Sequence, residues 1–465
     1  MIKDNKIGPQ VYGAIFATGL LSFCGVIVET SMNIAFPTLM REFNVSTNIV
    51  QWMTSIYLLA VSIVVPISAA LKSSYKTKSL FIVANLLFFL GILVDALAVD
   101  FWLLLFGRAI QGIGTGISLP LMFNIILEQV PKSRVGTMMG VGNMITGIAP
   151  AVGPTFGGLV LQALGWRWVF WILLPLLVVS FILGIWGIQQ KSVIKKVKID
   201  QISFLAIAVF FIGMIVGFSN LSNVSLFNVA LPLFAGTISL TFLILRSQKL
   251  ATPILNLTLF KDMSFSAHVL GFFLIQIISL GNAFLLPNYI QLVNGNTALI
   301  AGLIVLPAGV AGAMMGPIGG NLLDKYGARK PVLMGVAMMM VETAIFALFT
   351  NYMNNILIMV IYVIYMAGMG MALGDVMTDT LAGITKNQGA QGNAILNTAQ
   401  QFAGAVGTSI TSAIVAFSQK QPGIKESVGT QAGTQHAYIF LFVLTLVIGF
   451  LFIKYIGKKA SRGAR

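Results

Sequence analysis

Long runs of hydrophobic residues, separated by short polar segments, fill this chain almost from end to end. Fourteen runs reach the roughly 20 residues with which a helix crosses a membrane. Their approximate bounds are 11–33, 49–71, 79–99, 102–126, 137–163, 168–189, 199–219, 226–246, 264–291, 298–322, 331–350, 355–380, 391–418 and 436–456. Backbone polar groups in hydrocarbon have to be paired internally, and the runs are too long for barrel strands. The pattern therefore predicts an all-α membrane protein with fourteen transmembrane helices.

The composition supports the same class. Of 465 residues, 57% are hydrophobic and only 9% are charged, which is too few to cover a water-soluble body. No charged leader with a cleavage site precedes the first run, so we expect that run to be retained. The single Cys24 excludes an intrachain disulfide, and His268 and His436 lack metal-ligand spacing, so we expect no metal.

The net charge of +15 is a topology signal rather than evidence of nucleic-acid binding. With the N-terminus in the cytoplasm, 23 of the 28 Lys and Arg residues fall in cytoplasmic segments. Only Arg41, Arg167, Lys420 and Lys425 fall in outside loops. Cytoplasmic loops are enriched in Lys and Arg, so both termini are predicted to be cytoplasmic and the number of spans even. No nucleic-acid partner is expected.

Polar connections divide the chain into three parts. A lysine-rich segment after the sixth run ends a first bundle, 1–190. Two runs without charged residues, within 191–262, read as an inserted hairpin because a substrate path normally needs polar groups. Six more runs form a second bundle, 263–465. Transporters commonly show such weak symmetry between six-helix halves.

Three motifs occur in order along the chain. Residues 104–116 read LLFGRAIQGIGTG, residues 147–158 read GIAPAVGPTFGG, and residues 320–330 read GNLLDKYGARK. The loop after the second run keeps the basic residues of the third motif but has Ser73 where the acid would be. These motifs resemble those of the major facilitator superfamily, in its fourteen-helix drug:proton antiporter branch.

The resemblance implies a role for each motif. The first implies that Arg108 takes part in proton coupling. The second implies an antiporter motif formed by Gly147, Pro150, Gly153, Pro154, Gly157 and Gly158. The third implies a cytoplasmic gate formed by Gly320, Asp324, Gly327, Arg329 and Lys330.

The first run departs from the family pattern. Residues 28–37 read VETSMNIAFP, with Val28 where many relatives have Asp. Glu29 takes over that acid one position later, which rotates the side chain by about 100° around the helix. Helix rise places Glu29 and Arg108 near the same outer level, so we predict that Glu29 partners Arg108. The alternative is a structural ion pair or an arginine held by carbonyl groups.

Glu342 falls near the middle of the membrane, and no basic residue in the predicted helices shares its depth. It is the third proton-coupling candidate, and the alternative is a permanently neutral acid. Asp375 and Asp379 are spaced i, i+4 near the cytoplasmic end, where they could attract cations or simply be solvated. Asp95 lies in the outer part of the third run, where a structural role is favoured over a functional one. The predicted substrate cavity contains Glu29, Asn33, Gln111, Glu342, Asp375 and Asp379.

These observations predict a transporter rather than an enzyme. The absence of a nucleotide-binding loop means that we expect no cofactor and a proton gradient as the energy source. The expected activity is export of small lipophilic, often cationic drugs across the bacterial cytoplasmic membrane by a monomer in the lipid bilayer. The alternative is a dedicated proton-coupled exporter of one metabolite, lipid or peptide.

Overall fold

The described part of the chain is almost entirely helical. The structure, a computed structural model, describes residues 7–131, 135–191, 193–194, 200–222, 226–250, 253–385 and 388–457. Fourteen long helices run through these residues. They are α1 (Pro9–Phe43), α2 (Trp52–Val64), α3 (Thr77–Ala96), α4 (Phe101–Gln129), α5 (Val135–Ala163), α6 (Arg167–Gly187), α7 (Gln201–Ser219), α8 (Leu226–Ser247), α9 (Met263–Leu292), α10 (Ala298–Tyr326), α11 (Arg329–Phe349), α12 (Asn355–Ala382), α13 (Gly389–Gln419) and α14 (Glu426–Tyr455).

The first two predicted spans have different bounds in the structure. α1 continues ten residues beyond the predicted end and stops at Asn44, whose left-handed φ of 52° ends the helix. The second span is preceded by the short helix Thr47–Val50 and continues after α2 as Val65–Ile67 and Ser68–Ser74. The interruption after Val64 coincides with Pro66, which has no N–H to donate within a helix.

The predicted fold class is confirmed. Thirteen helical stretches of the described residues are long and apolar enough to cross a membrane. The remaining predicted span corresponds to α5, which contains residues whose side chains lie outside the described part. The protein is therefore an all-α, multi-pass membrane protein, while the count of fourteen spans stays a prediction.

Helix pairing in α1–α6 recurs in α9–α14. In the first group α1 packs on α5 and α6, and α4 packs on α2 and α3. In the second group α9 packs on α13 and α14, and α12 packs on α10 and α11. The two groups are thus repeats of one arrangement. The boundaries at residues 190 and 262 stay predictions.

The hairpin formed by α7 and α8 covers a seam between the two groups. α7 packs on α8 and also on α2 and α13. Gln51 Nε2 donates to Ser219 Oγ at 2.9 Å, and the rings of Phe211 and Phe402 lie 4.8 Å apart. At the start of α7, the carboxylate of Asp200 accepts two 2.6 Å hydrogen bonds from Arg246. The Arg246 guanidinium holds the pKa of Asp200 below its usual range.

The two groups are joined away from the chain termini. α1 starts beside the end of α6, and α14 ends beside the start of α11, which defines a terminal end and an opposite, far end of the bundle. Hydrogen bonds between described residues of the two groups lie toward the far end. Examples are Thr47 Oγ1 to Gln419 Oε1 at 2.7 Å and Gln291 Nε2 to the Ile34 carbonyl at 3.1 Å. This arrangement is that of a carrier closed at its far end.

Candidate functional site

A fully buried arginine lies inside the first group. Arg108, the eighth residue of α4, has no exposed surface. Its Nε donates to the Met53 carbonyl at 3.0 Å, and its Nη1 donates to Gln111 Oε1 at 2.6 Å. The guanidinium carbon lies 4.3 Å from the centre of the Tyr57 ring. A cation in hydrocarbon persists only with partners of this kind.

Asp95 of α3 provides a negative charge for this arginine. Gln111 Nε2 donates to Asp95 Oδ2 at 2.6 Å, so the amide of Gln111 bridges the acid and Arg108. Asp95 is fully buried and interacts electrostatically with Arg108. The sequence alone favours a structural role for Asp95. The signal that could have found it is the short loop between α3 and α4, which brings the end of one helix to the depth of the start of the next.

Glu29 lies near this cluster but does not bind Arg108 directly. The two residues interact electrostatically, yet no hydrogen bond or ion pair joins them among the described residues. The predicted direct partnership is therefore corrected: the Met53 carbonyl and Gln111 bind Nε and Nη1 of Arg108, and Nη2 has no hydrogen-bond partner among the described residues. Glu29 keeps 8% of its surface exposed, whereas Asp95 has none. Both acids are thus buried, and Glu29 is the less completely buried of the two.

Two further contacts tie α1, α2 and α4 together around the cluster. Asn33 Oδ1 accepts a hydrogen bond from Thr54 Oγ1 at 2.8 Å. The hydroxyl of Tyr57 donates to Thr115 Oγ1 at 3.1 Å. Asn33 and Gln111, both predicted to line a substrate cavity, are therefore engaged in bonds between helices of the first group.

Glu342 of α11 lies in a separate polar cluster inside the second group. It has no exposed surface, and neither carboxyl oxygen has a hydrogen-bond partner among the described residues. Tyr362 and Tyr365 of α12 and Tyr438 of α14 interact with it electrostatically. Tyr438 also donates to Asn282 Oδ1 at 2.8 Å. The structure thus does not bring Glu342 into one cavity with the acids of the first group.

The two acids near the terminal end of α12 have different surroundings. Asp379 Oδ2 lies 2.9 Å from His268 Nε2 and accepts the Gly457 N–H at 3.1 Å. Asp375 is buried, has an unpartnered Oδ2 among the described residues and interacts electrostatically with Asp324. Asp379 therefore connects α9, α12 and the end of α14, whereas Asp375 has a buried oxygen without a partner among the described residues.

The predicted cytoplasmic gate lies at the terminal end, where α10 turns into α11. It contains Gly320, Asp324, Gly327, Arg329 and Lys330. Gly327 has a φ of 75°, which only glycine adopts readily, and its N–H donates to the Leu323 carbonyl at 2.8 Å. Arg329 Nη2 donates to the Ile453 carbonyl at 3.2 Å, while Asp324 is exposed.

The antiporter motif brings the α5 backbone into direct contact with the second group. Within it, Gly147 and Pro150 lie outside the residues whose side chains are described. A Cβ added at Gly158 would lie 2.5 Å from the Ala298 carbonyl oxygen, and one added at Gly302 would lie 2.5 Å from the Pro154 oxygen. Glycine is therefore required where α5 meets α10.

The same motif also binds α5 to α1. Ser31 Oγ donates to the Gly153 carbonyl at 2.8 Å. A Cβ added at Gly157 would lie 2.7 Å from the Ser31 carbonyl oxygen, which leaves no room for a side chain. The small residues thus allow two close helix contacts on one helix.

Sequence comparisons agree with this geometry. The model of the Major Facilitator Superfamily matches residues 18–408. The chain belongs to the Major Facilitator Superfamily. It is 36% identical to the lincomycin resistance protein LmrB of Bacillus subtilis (strain 168), over 97% of each chain. It is 25% identical to the multidrug resistance protein B homolog of Mycobacterium tuberculosis, over 89% of this chain and 79% of that one.

A solved structure shows the same superfamily fold. A bacterial homologue of the human lysosomal transporter Spinster, in an inward-facing and unoccupied conformation, superposes with a TM-score of 0.70 at 15% identity. The match covers 98% of this chain and 99% of that one. Membership of the superfamily confirms the predicted transporter class and excludes the enzyme class. The roles of the individual site residues stay predictions.

Proposed function

We propose that this protein is a proton-coupled exporter of lipophilic, often cationic drugs that works by alternating access. Its similarity to proteins named for lincomycin resistance and multidrug resistance supports drug substrates. The buried cluster of Asp95, Gln111 and Arg108 supports proton coupling, because ionisable groups inside a membrane commonly mark ion pathways. This cluster is the single observation that carries the coupling mechanism.

Alternating access requires two seals, of which the structure contains one. The α5 and α10 backbones meet at Gly158 and Gly302, close to the far end. Thr155 Oγ1 also donates to the Gly302 carbonyl at 3.0 Å. Transport would require this contact to separate as the terminal ends of the two groups approach each other, a rigid-body exchange of interfaces.

Glu29, which is less completely buried than Asp95, favours cationic substrates. A carboxylate in an otherwise apolar bundle attracts a positively charged ligand. The abundant phenylalanine and methionine side chains provide apolar and polarizable contacts for the remainder of such a ligand.

The proposed setting is the bacterial cytoplasmic membrane with both termini in the cytoplasm. The distribution of Lys and Arg supports this orientation. In it, the terminal end faces the cytoplasm and the far end faces outward, so the structure corresponds to an inward-open carrier. The protein would act as a monomer without a cofactor, with the proton gradient as its energy source.

Transport in proteoliposomes tests the proposal. Purified protein is reconstituted, a proton gradient is imposed, and movement of ethidium and lincomycin against their gradients is measured. We expect uphill transport that a protonophore abolishes and that ATP does not restore. Transport that survives the protonophore but depends on ATP would contradict proton coupling, and movement of neither compound would contradict drug export.

A further inference from the structure

In the buried cluster of the first group, donors and acceptors of the hydrogen bonds are fixed by the chemistry of the side chains. Arginine only donates hydrogen bonds, so Gln111 presents its carbonyl oxygen to Arg108 and its NH₂ group to Asp95. Asp95 Oδ1 and Arg108 Nη2 remain without hydrogen-bond partners among the described residues. The acid and the cation are therefore linked through one amide while each keeps an unused polar atom.

The position of Asp95 depends on two glycines. A Cβ added at Gly107 would lie 1.9 Å from Asp95 Oδ1. A Cβ added at Gly91 would lie 2.6 Å from Gln111 Cγ. The carboxyl is thus packed against the α4 backbone, where a side chain at either glycine would displace it or its bridge.

Asp95 and Glu29 share one buried cation. Both interact electrostatically with Arg108, which also faces the ring of Tyr57. Two polar residues of α6 also contact this part of the bundle. Ser180, which is uncharged, accepts a hydrogen bond from Asn85 of α3. Arg167, at the start of α6, donates to the Ala98 carbonyl at 2.8 Å. Arg108 is therefore the cation that serves both acids from inside the bundle.

We infer that Asp95 carries the transported proton and that Glu29 binds the cationic substrate, with Arg108 and Gln111 coupling the two acids. This inference rests on the proposed function. When Asp95 is ionised, its negative charge balances the positive charge of Arg108 across the Gln111 bridge. The carboxylate of Glu29 can then bind a cation.

Protonation of Asp95 reverses this balance. The reaction is Asp95 carboxylate plus a proton giving the neutral acid, with no other bond made or broken. Arg108 then lacks the negative charge of Asp95 and attracts the carboxylate of Glu29 more strongly. This attraction weakens the binding of a cationic substrate to Glu29. Proton uptake and substrate release are thereby linked, as antiport requires.

Proton release on substrate binding tests this assignment. Ethidium is added to detergent-purified protein in weak buffer with pyranine as the pH indicator, and ethidium binding is measured in parallel. The wild-type protein is expected to release protons on binding. Asp95→Asn mimics the protonated acid, so it should bind ethidium more weakly than the wild type and, at saturating ethidium, release no protons. Glu29→Gln should bind ethidium at least about tenfold more weakly, because it loses a charge-assisted contact.

A matched control is Asp100→Asn, five residues further along. Asp100 caps α4 by accepting the Leu103 N–H at 2.8 Å, and an asparagine oxygen can accept the same bond. This variant should bind ethidium and release protons as the wild type does. Substrate-linked release that persists in Asp95→Asn, or that disappears in Glu29→Gln with binding intact, would overturn the assignment.

A second variant covers the case in which Asp95→Asn does not fold. Gln111→Met breaks the bridge but leaves Asp95 and Arg108 in place. Binding should then become half-maximal at a higher pH, by about one unit, because the acid loses a hydrogen bond to its ionised form. An unchanged midpoint would overturn the inference. Proton-driven transport absent from the wild type itself would instead overturn the proposed function.

Discussion

Each six-helix group has a buried acid on an equivalent helix, Asp95 on α3 and Glu342 on α11, but the two acids have different surroundings. Arg108 and Gln111 are the eighth and eleventh residues of α4, and Tyr362 and Tyr365 are the eighth and eleventh residues of α12. Both helices begin in the same way, because Asp100 and Asn354 cap them by accepting the N–H three residues later. One repeat thus has a cation and an amide where the other has two stacked tyrosines.

The acids differ accordingly. Asp95 accepts a hydrogen bond from an amide that also binds a guanidinium. Glu342 lies among Tyr362, Tyr365 and Tyr438 and beside the amide of Asn282, and no cation among the described residues interacts with it. An unpaired buried carboxylate costs several kcal/mol. The first site can therefore hold a charge, while the second favours an uncharged acid.

The two halves of a repeated fold can thus have different functions. Identical helix pairings provide two similar interiors, and a few side chains decide whether each one stores a charge. In the first interior, Arg108 links the fully buried Asp95 to the less completely buried Glu29. The second interior, around Glu342, is the uncharged counterpart of the first.

Arg108→Ala should have the largest effect. It removes the only cation of the first cluster and leaves Asp95 buried without compensation. Losing one partner of a buried pair costs roughly 3–5 kcal/mol, so uphill ethidium efflux should fall by at least about a hundredfold. Efflux from energised vesicles, normalised to protein in the membrane, measures this. Arg41→Ala, an exposed arginine at the end of α1, is the control. A loss of equal size in both variants would contradict a specific role for Arg108.

Gly107→Ala should have the next largest effect. Its Cβ would meet Asp95 Oδ1 at 1.9 Å, and overpacking typically costs about 1–3 kcal/mol, or about tenfold in coupled efflux. The second group has Ile361 at the corresponding place in α12, so this close approach belongs to the first group alone.

Gly374→Ala provides the control for this steric argument. A Cβ at Gly374 would meet no atom within 4 Å. Both variants raise helix propensity equally, so a difference between them in the pH dependence of efflux reports on the position of Asp95. Unchanged coupling in Gly107→Ala would show that the acid can move without consequence.

Much of the fold follows from the sequence, and less of the site does. Hydrophobic length and the Lys and Arg distribution predict the helices and their order, because they respond to the membrane. The continuation of α1 through Asn33 and Pro37 was missed since polarity alone does not end a helix that packs against neighbours.

The partners of the buried residues are harder to predict. Motif resemblance identifies Arg108, but its bond to Gln111 depends on side-chain rotamers, and the link to Asp95 depends on how α3 and α4 cross. Likewise, Glu342 meets Tyr438 and Asn282 from helices far away in sequence. Depth along a helix places residues at one level, but it does not show which face each helix presents.

Glu342→Gln should separate function from stability. A neutral glutamine resembles the uncharged glutamic acid of this state, so the thermal midpoint should hardly change. Because glutamine cannot release a proton in the other transport state, coupled efflux should fall about fivefold, the lower end of a typical coupling energy. Tyr365→Phe, which removes a buried hydroxyl that interacts with Glu342, is the companion variant. A marked fall in stability for Glu342→Gln would indicate a charged Glu342 and break the contrast with Asp95.

The smallest expected effect concerns the terminal-end loops of the two groups. Asp324 is exposed near the end of α10, beside the basic residues Arg329 and Lys330, whereas Ser73 occupies the corresponding place in the first group. The first group instead has an ion pair between Lys72 and Glu128 within its own helices. Asp324 is available to pair when the terminal end closes, so its charge should matter in only one of the two transport states.

Asp324→Asn should therefore slow efflux by about two- to fivefold, the effect of losing one exposed ion pair. Ser73→Asn should change it far less, because no acid is lost there. Because such pairs are screened by salt, the difference between the two variants should shrink as ionic strength rises. Transport rates at low and high salt, at equal protein density in the membrane, provide the measurement. Equal slowing by both substitutions, independent of salt, would show that the two loops contribute alike and that the asymmetry between the groups is confined to their buried acids.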